Sequence, residues 1–196
     1  MKIIQYKNYV FSFLGKQNLL NNNSSQFLNC AFGKGDSNFR VRSNRKLVSK
    51  LFNNKKIIFV NQIHSSRIFF YDKTRPYDIK ADGIITKNKN VLLGILTADC
   101  APVILLGKEY FGILHVGWRG LLNDIILNAV NFFIKRGEKK EDIKFFIRPN
   151  LKPKSFEVQS DFLENIKVLK NFSIYLKESK NRIFFNYTKL IEDKIK

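Results

Sequence analysis

Three short apolar runs crowd the middle of this 196-residue chain: Val91 to Leu96, Val103 to Leu106 and Phe111 to Val116. Runs of this length and hydrophobicity mark buried strands, so the chain is committed to a covered sheet. The first two flank Thr97-Ala98-Asp99-Cys100-Ala101-Pro102 and read as strands joined by a tight connection, with Pro102 restricting the backbone. From Leu121 the pattern changes. Apolar residues recur in pairs, Leu121/Leu122, Ile125/Ile126, Ala129/Val130 and Phe132/Phe133, which builds one broad helical face, and Gly137 suits its C-terminal cap. Lys56 to Ile63 reads as a strand that delivers His64 at its end. Phe145 to Ile147 and Arg182 to Phe185 read as further strands, the latter before a short helical tail. Val41 to Phe52 suits a surface helix capped by Asp36, Ser37 or Asn38, and Phe156 to Leu169 a second one. Asn21 to Ser25 is a polar loop. The length, with no repeat or low-complexity linker dividing the chain, predicts a single domain over residues 1–196.

Composition limits the partners. The apolar fraction is 44%, with 19 Phe and 7 Tyr, enough for a packed core. The net charge of +19 would suit nucleic acid or anionic metabolites. The lysines are scattered, and Lys, Asn, Ile and Phe are enriched together as in an AT-rich genome, so a nucleic-acid footprint is not expected. Two distant cysteines make no disulfide framework, and Cys30 reads as a small buried apolar residue. No apolar run is long enough to span a bilayer, and the polar-broken start does not resemble a secretory signal, so a cytoplasmic location is expected.

The chemistry-bearing residues are few and placed in short motifs. The chain's two histidines are His64, in Asn61-Gln62-Ile63-His64-Ser65, and His115, in Leu114-His115-Val116-Gly117-Trp118-Arg119-Gly120; Cys100 lies between them. Two imidazoles and a thiolate are compatible zinc ligands, and three protein ligands leave the fourth tetrahedral position open, as in catalytic sites. Spacing alone leaves two other readings open: core residues, or a metal-free Cys-His nucleophilic pair. Gly117 to Gly120 runs from a strand into a helix, where amide groups and the Arg119 fork would cradle an anion; a plain tight turn is the alternative. Asp99, and Asp82 in Ala81-Asp82-Gly83, are candidates for proton handling or substrate hydrogen bonding, although Asp-Gly is also an ordinary turn signal.

Taken together, Gln62-Ile63-His64, Ala81-Asp82-Gly83, Thr97 to Pro102 and His115 to Gly120 occur in the order seen in the YfiH/laccase-domain family, which is also labelled polyphenol oxidase, purine nucleoside phosphorylase and peptidoglycan editing factor. Leu28-Asn29-Cys30, Gly35-Asp36 and Asn44-Arg45 resemble its N-terminal motif. Pro149 to Pro153 with Phe156-Glu157-Val158 resembles its later proline-rich motif. The resemblance covers roughly residues 11 to 160. It implies a layered α/β/β/α (α+β) fold with mixed sheets and a zinc site of His64, Cys100 and His115, with copper the less favoured metal.

The resemblance further implies phosphorolysis of adenosine, inosine or methylthioadenosine and deamination of adenosine. Cys100, Arg119 and Asp99 would be the catalytic residues, and Gln62, Arg45, Asp82 and Trp118 the substrate contacts. Purine nucleosides and phosphate are the implied partners, for a monomer or dimer. The rival readings are an amidase editing a muramoyl-serine wall precursor and, from another class, a basic nucleic-acid-binding module. The chain departs from the family at Arg148, Lys152 and Lys154, at Leu14-Gly15-Lys16-Gln17, and in stopping at Lys196 before the family's last strand, so substrate contacts from these segments are expected to differ.

Overall fold

The computed structural model describes residues 2–15, 28–73, 78–147 and 149–196. The polar loop expected at Asn21 to Ser25, and Lys16, Gln17 and Arg148, lie outside them. In chain order the first elements are β1 (Lys2–Tyr6), β2 (Tyr9–Phe13), α1 (Asn38–Leu51), β3 (Lys56–Ile58), β4 (Ile68–Phe70), β5 (Gly83–Thr86) and β6 (Val91–Leu93). Next come β7 (Ala101–Leu106), β8 (Phe111–Val116), α2 (Trp118–Leu122), α3 (Ile125–Ile134) and β9 (Lys144–Ile147). The chain finishes with β10 (Glu157–Val158), α4 (Ser160–Ile166), β11 (Leu176–Ser179), β12 (Arg182–Phe185) and α5 (Tyr187–Ile195). The fold is mixed α/β with several sheets. Two compact units can be distinguished, Met1–Phe59 with Asn88–Leu96 and Val60–Lys87 with Thr97–Lys196.

In the first unit β1 and β2 form an antiparallel hairpin that periodicity alone did not suggest, turning at Lys7 in the left-handed region. Helix α1 starts as expected. Ser37 caps it by accepting from the Arg40 amide at 3.2 Å, and Val41 faces inward. Strand β3 pairs in parallel with β6, Ile57 opposite Leu92.

The strand expected over Lys56 to Ile63 ends at Ile58. The amides of Ile63 and His64 donate instead to the Asp82 carboxylate, which withdraws them from any ladder. The two apolar runs around Cys100 do not pair either. Val91–Leu93 belongs with β3, while Ala101–Leu106 pairs with β8 and β9. A four-residue turn, Gly107 to Tyr110, supplies β7 with an antiparallel partner immediately downstream, and nearby partners are favoured.

The second unit is organised by a five-stranded sheet in the order β4-β5-β8-β7-β9. Strands β4 and β5 are parallel and the other pairs antiparallel. Every residue of β5 and β7 is buried, which explains why their sequences are apolar without alternation. Ile125, Ile126, Ala129 and Phe133 of α3 share one core with Val103, Leu105 and Leu114 of the sheet and with Phe185, Tyr187, Leu190 and Ile191. Pro102 stands before the first residue of β7 that pairs with β9, so its missing amide costs no rung there.

The single helix expected from Leu121 onward is two. Asn123 turns its side chain back to the Arg119 carbonyl at 2.8 Å, and Asp124 adopts a left-handed φ of 61°. Both residue types tolerate these departures from helix. Gly137 closes α3 with φ 84°, as expected. The helix expected over Phe156 to Leu169 shortens to α4, because Glu157 and Val158 pair with β12.

The β7–β8 turn is held by a carboxylate. Buried Glu138 accepts from the amides of Lys108, Glu109 and Tyr110 at 2.7, 2.8 and 3.1 Å. Glu138→Ala would leave three amides without this partner and is expected to lower stability by roughly 2–3 kcal/mol, read as a lower denaturation midpoint in urea.

Candidate metal centre

The site grows from Asp82, whose carboxylate has no exposed surface. Asp82 precedes β5, and the β5–β8 register sets Gly83 against Leu114, which brings Asp82 opposite His115. The His115 amide donates to the Asp82 carbonyl at 2.7 Å, and the two side chains meet at 2.9 Å between Oδ1 and His115 Nδ1. The same carboxylate accepts from the amides of Ile63 (3.2 Å), His64 (2.9 Å) and Ser65 (2.6 Å) and from Ser65 Oγ (2.7 Å). Burial opposes the charge on Asp82, but the His115 and Ser65 hydrogen bonds outweigh it and hold the carboxyl down at about 2.

His64 therefore does not finish a strand. It sits in a turn with φ 58°, a conformation that costs a non-glycine residue energy and that the Asp82 hydrogen bonds sustain. Its ring meets that of His115 edge to face, with centroids 4.8 Å apart. Cys100 enters from the residue before β7. One donor atom each from His64, Cys100 and His115 lies within 4.8 Å of the others, and this is the one such His/Cys/Asp/Glu group among the described residues.

His64 is exposed, Cys100 half-buried and His115 buried. Burial pulls the His115 ring down, but its hydrogen bonds to Asp82 and then Cys100 push it up to about 9. His64 is pulled down, first by burial and then by His115, with Arg119 adding to the effect. With Nδ1 directed at Asp82, His115 is left with Nε2 for the Cys100 side, and a carboxylate on the far nitrogen is what orients metal-ligating histidines. Two imidazoles and one thiol in convergence, one of them braced by a buried carboxylate, fit a zinc-type ion of three protein ligands.

Two glycines permit the convergence. A Cβ at Gly117 would stand 2.9 Å from His64 Cδ2 and 3.4 Å from Cys100 Sγ. A Cβ at Gly120 would stand 2.6 Å from the Ser65 carbonyl oxygen.

The remaining sequence candidates fall around this cluster or apart from it. Arg119 is exposed and lies over the Trp118 ring, 4.1 Å from guanidinium carbon to ring centroid, while Trp118 packs edge-on against Phe162. Helix α2 spans five residues, so its dipole is short and the anion-attracting charge here is that of Arg119 itself. Asp99 is exposed, and its carbonyl accepts from the Leu151 amide at 3.0 Å. Gln62 is half-buried just ahead of the His64 turn, and Lys152 and Lys154 are exposed.

Asp82, read from the sequence as a substrate contact, has its carboxylate occupied inside the protein. Arg45 belongs to the first unit, where its Nε donates to the Cys30 carbonyl at 2.9 Å and its guanidinium stacks on Phe32 and Phe59 at 4.3 and 4.0 Å. Cys30 is half-buried, and burial pushes its thiol up. Ser65, which anchors Asp82 through both amide and hydroxyl, was missed in the sequence; its position beside His64 was the only signal.

Comparison with known proteins agrees with this picture. The family described as multi-copper polyphenol oxidoreductase laccase matches residues 12–196, and the chain belongs to it. A purine nucleoside phosphorylase of Aquifex aeolicus is 37% identical over 157 residues, 79% of this chain and 72% of that one. A purine nucleoside phosphorylase of Rickettsia prowazekii is 27% identical over 200 residues, covering 100% of this chain and 81% of that protein. The solved structure of Bacillus licheniformis hypothetical protein YfiH aligns with a TM-score of 0.79 at 23% identity, covering 87% of this chain and 70% of that one. YlmD from Geobacillus stearothermophilus aligns with a TM-score of 0.81 at 20% identity, covering 92% and 73%. These structures share the fold.

Gly117→Ala is expected to weaken metal binding at least about 10-fold while the chain still folds, since the added methyl displaces His64 and leaves Asp82 and His115 in place. Chelator competition with zinc, alongside circular dichroism, checks this.

Proposed function

We propose that this protein is a zinc-dependent purine nucleoside phosphorylase, acting on adenosine, inosine or methylthioadenosine with phosphate and also deaminating adenosine. The observation that carries the reading is the His64–Cys100–His115 cluster with exposed Arg119 bearing on it, in a chain 37% identical to a phosphorylase of that name. Zinc is favoured over copper because two histidines are too few for a multicopper cluster.

In phosphorolysis a phosphate oxygen bonds to C1′ of the ribose as the bond from C1′ to purine N9 breaks, and the purine leaves with a proton. His64, Cys100 and His115 would hold the zinc ion, which would supply Lewis acidity. Asp82 fixes the His115 ring through Nδ1. Arg119, splayed over Trp118, offers two parallel N–H donors to a phosphate, and its exposure leaves them reachable. Asp99, exposed beside Cys100, is assigned to proton transfer. Gln62, Trp118 and Arg45 are assigned to substrate contacts, Arg45 on the resemblance alone. No helix among the described residues is long and apolar enough to cross a membrane, and a cytoplasmic location is part of this proposal.

Chromatography of adenosine reactions with zinc-loaded protein is expected to show adenine and ribose 1-phosphate only when phosphate is present, with some inosine in either case. Cys100→Ser is expected to lose most of its zinc by elemental analysis and both products with it. Release of serine from a muramoyl-serine wall precursor, with no adenine or inosine above the Cys100→Ser background, would establish the editing amidase instead. A salt-sensitive nucleic-acid shift without turnover would establish a binding module.

Arg119→Ala is expected to raise the KM for phosphate about 10-fold or more, the loss of a charge-assisted bidentate contact, with the melting temperature little changed. An unchanged phosphate KM would remove Arg119 from the site.

A further inference from the structure

One buried polar atom beside the metal centre has no role so far, the hydroxyl of Tyr187. Tyr187 opens α5 and is 1% exposed. Its ring is held by Phe156 and Phe185, with centroids 5.7 and 6.1 Å away. The oxygen lies next to the Ala101 amide and within the field of Cys100, yet it meets no partner at hydrogen-bonding geometry among the described residues. Buried hydroxyls are rarely left in this state. A phenylalanine would fill the same slot, so packing does not account for the oxygen.

A second set of contacts ties the start of α5 to the Cys100 segment independently. Asn150 Nδ2 donates to Thr188 Oγ1 at 2.9 Å, and the amide of Leu151, the next residue, donates to the Asp99 carbonyl at 3.0 Å. Residues adjoining Tyr187 and Cys100 are thus braced through one short segment, and the hydroxyl is not needed for the brace.

A thiol sulfur accepts hydrogen bonds weakly, whereas a thiolate accepts them well. A tyrosine phenol keeps its proton at neutral pH and can donate it. We propose that Tyr187 is a positioning residue whose hydroxyl donates to the Cys100 sulfur once that sulfur is a thiolate ligand, aiming it toward His64 and His115. The inference rests on the metal reading above. It assigns a ligand-orienting role to a residue far along the chain from all three ligands.

The test uses the full chain with cobalt(II) and zinc as probes. Cobalt(II) bound to Cys100 gives a sulfur-to-metal charge-transfer band that Cys100→Ser abolishes. Tyr187→Phe is expected to keep that band but move it to lower energy, because the hydrogen bond that lowered the sulfur lone pair is gone. Zinc affinity by chelator competition is expected to fall about 10-fold. The metal-free variant is expected to melt at or above the parent temperature, since an unpartnered buried oxygen has been removed. An unshifted band with parent affinity would overturn the proposal, as would a metal-free variant that melts well below the parent. Absence of any Cys100-dependent band in the parent protein would overturn the metal reading, and this inference with it.

Discussion

A carboxylate without exposed surface has to be surrounded by donors, and Asp82 meets that condition by drawing in two distant segments. Its oxygens accept from the His64 turn and from the His115 ring. Removing any of these donors would leave buried charge uncompensated, so the turn and the strand end are locked to each other. The left-handed backbone of His64 follows from this, because the three consecutive amides from Ile63 to Ser65 cannot all point at one carboxylate in an extended strand. The sheet register follows the same logic. A one-residue slip between β5 and β8 would carry His115 away from Asp82 and turn its ring to the opposite face.

Much of this was legible where physics is local. Phe111–Val116 and Arg182–Phe185 are strands over the residues that their apolar runs define. Ser37 and Gly137 stand at the helix ends that capping chemistry assigns them. The three convergent residues were visible because the chain carries two histidines and two cysteines in all. Long-range partnerships were not legible. Val91–Leu93 and Ala101–Leu106 look alike as apolar runs, but pairing depends on which strand edge each can reach. The break between α2 and α3 was hidden by a continuous helical face, since the apolar pairs keep their period straight across Asn123 and Asp124. Asp82 was noticed, but an Asp-Gly pair in sequence carries no sign of burial. Its role emerges only when a residue 33 positions away supplies the partner.

The three candidate ligand residues are held by different means. His115 lies in the sheet and is fixed through its side chain. Cys100 is fixed at the head of a strand whose residues are all buried. His64 is fixed through its backbone amide, and the lack of a side chain at Gly117 leaves room for its ring. Burial decreases in that order, from His115 to Cys100 to His64. The cluster is therefore covered on its inner side and open to solvent at His64.

That gradient also explains why charge collects where it does. A phosphate carries its charge only as far as a cation can replace its lost hydration. Beside His115 the buried charge is that of Asp82, surrounded by its donors. At His64 the field is mixed: His115 and Arg119 disfavour a charge on the ring, and Asp82 favours it. Arg119 is poorly suited to burial and well suited to this rim. Its guanidinium rests on an indole face that orients the fork and leaves its N–H edges directed to solvent. Exposed Arg119 is reachable from solvent and buried Asp82 is not. The buried carboxylate thus assembles the candidate ligand residues, and the exposed cation is the group that a phosphate would meet under the proposed phosphorolysis.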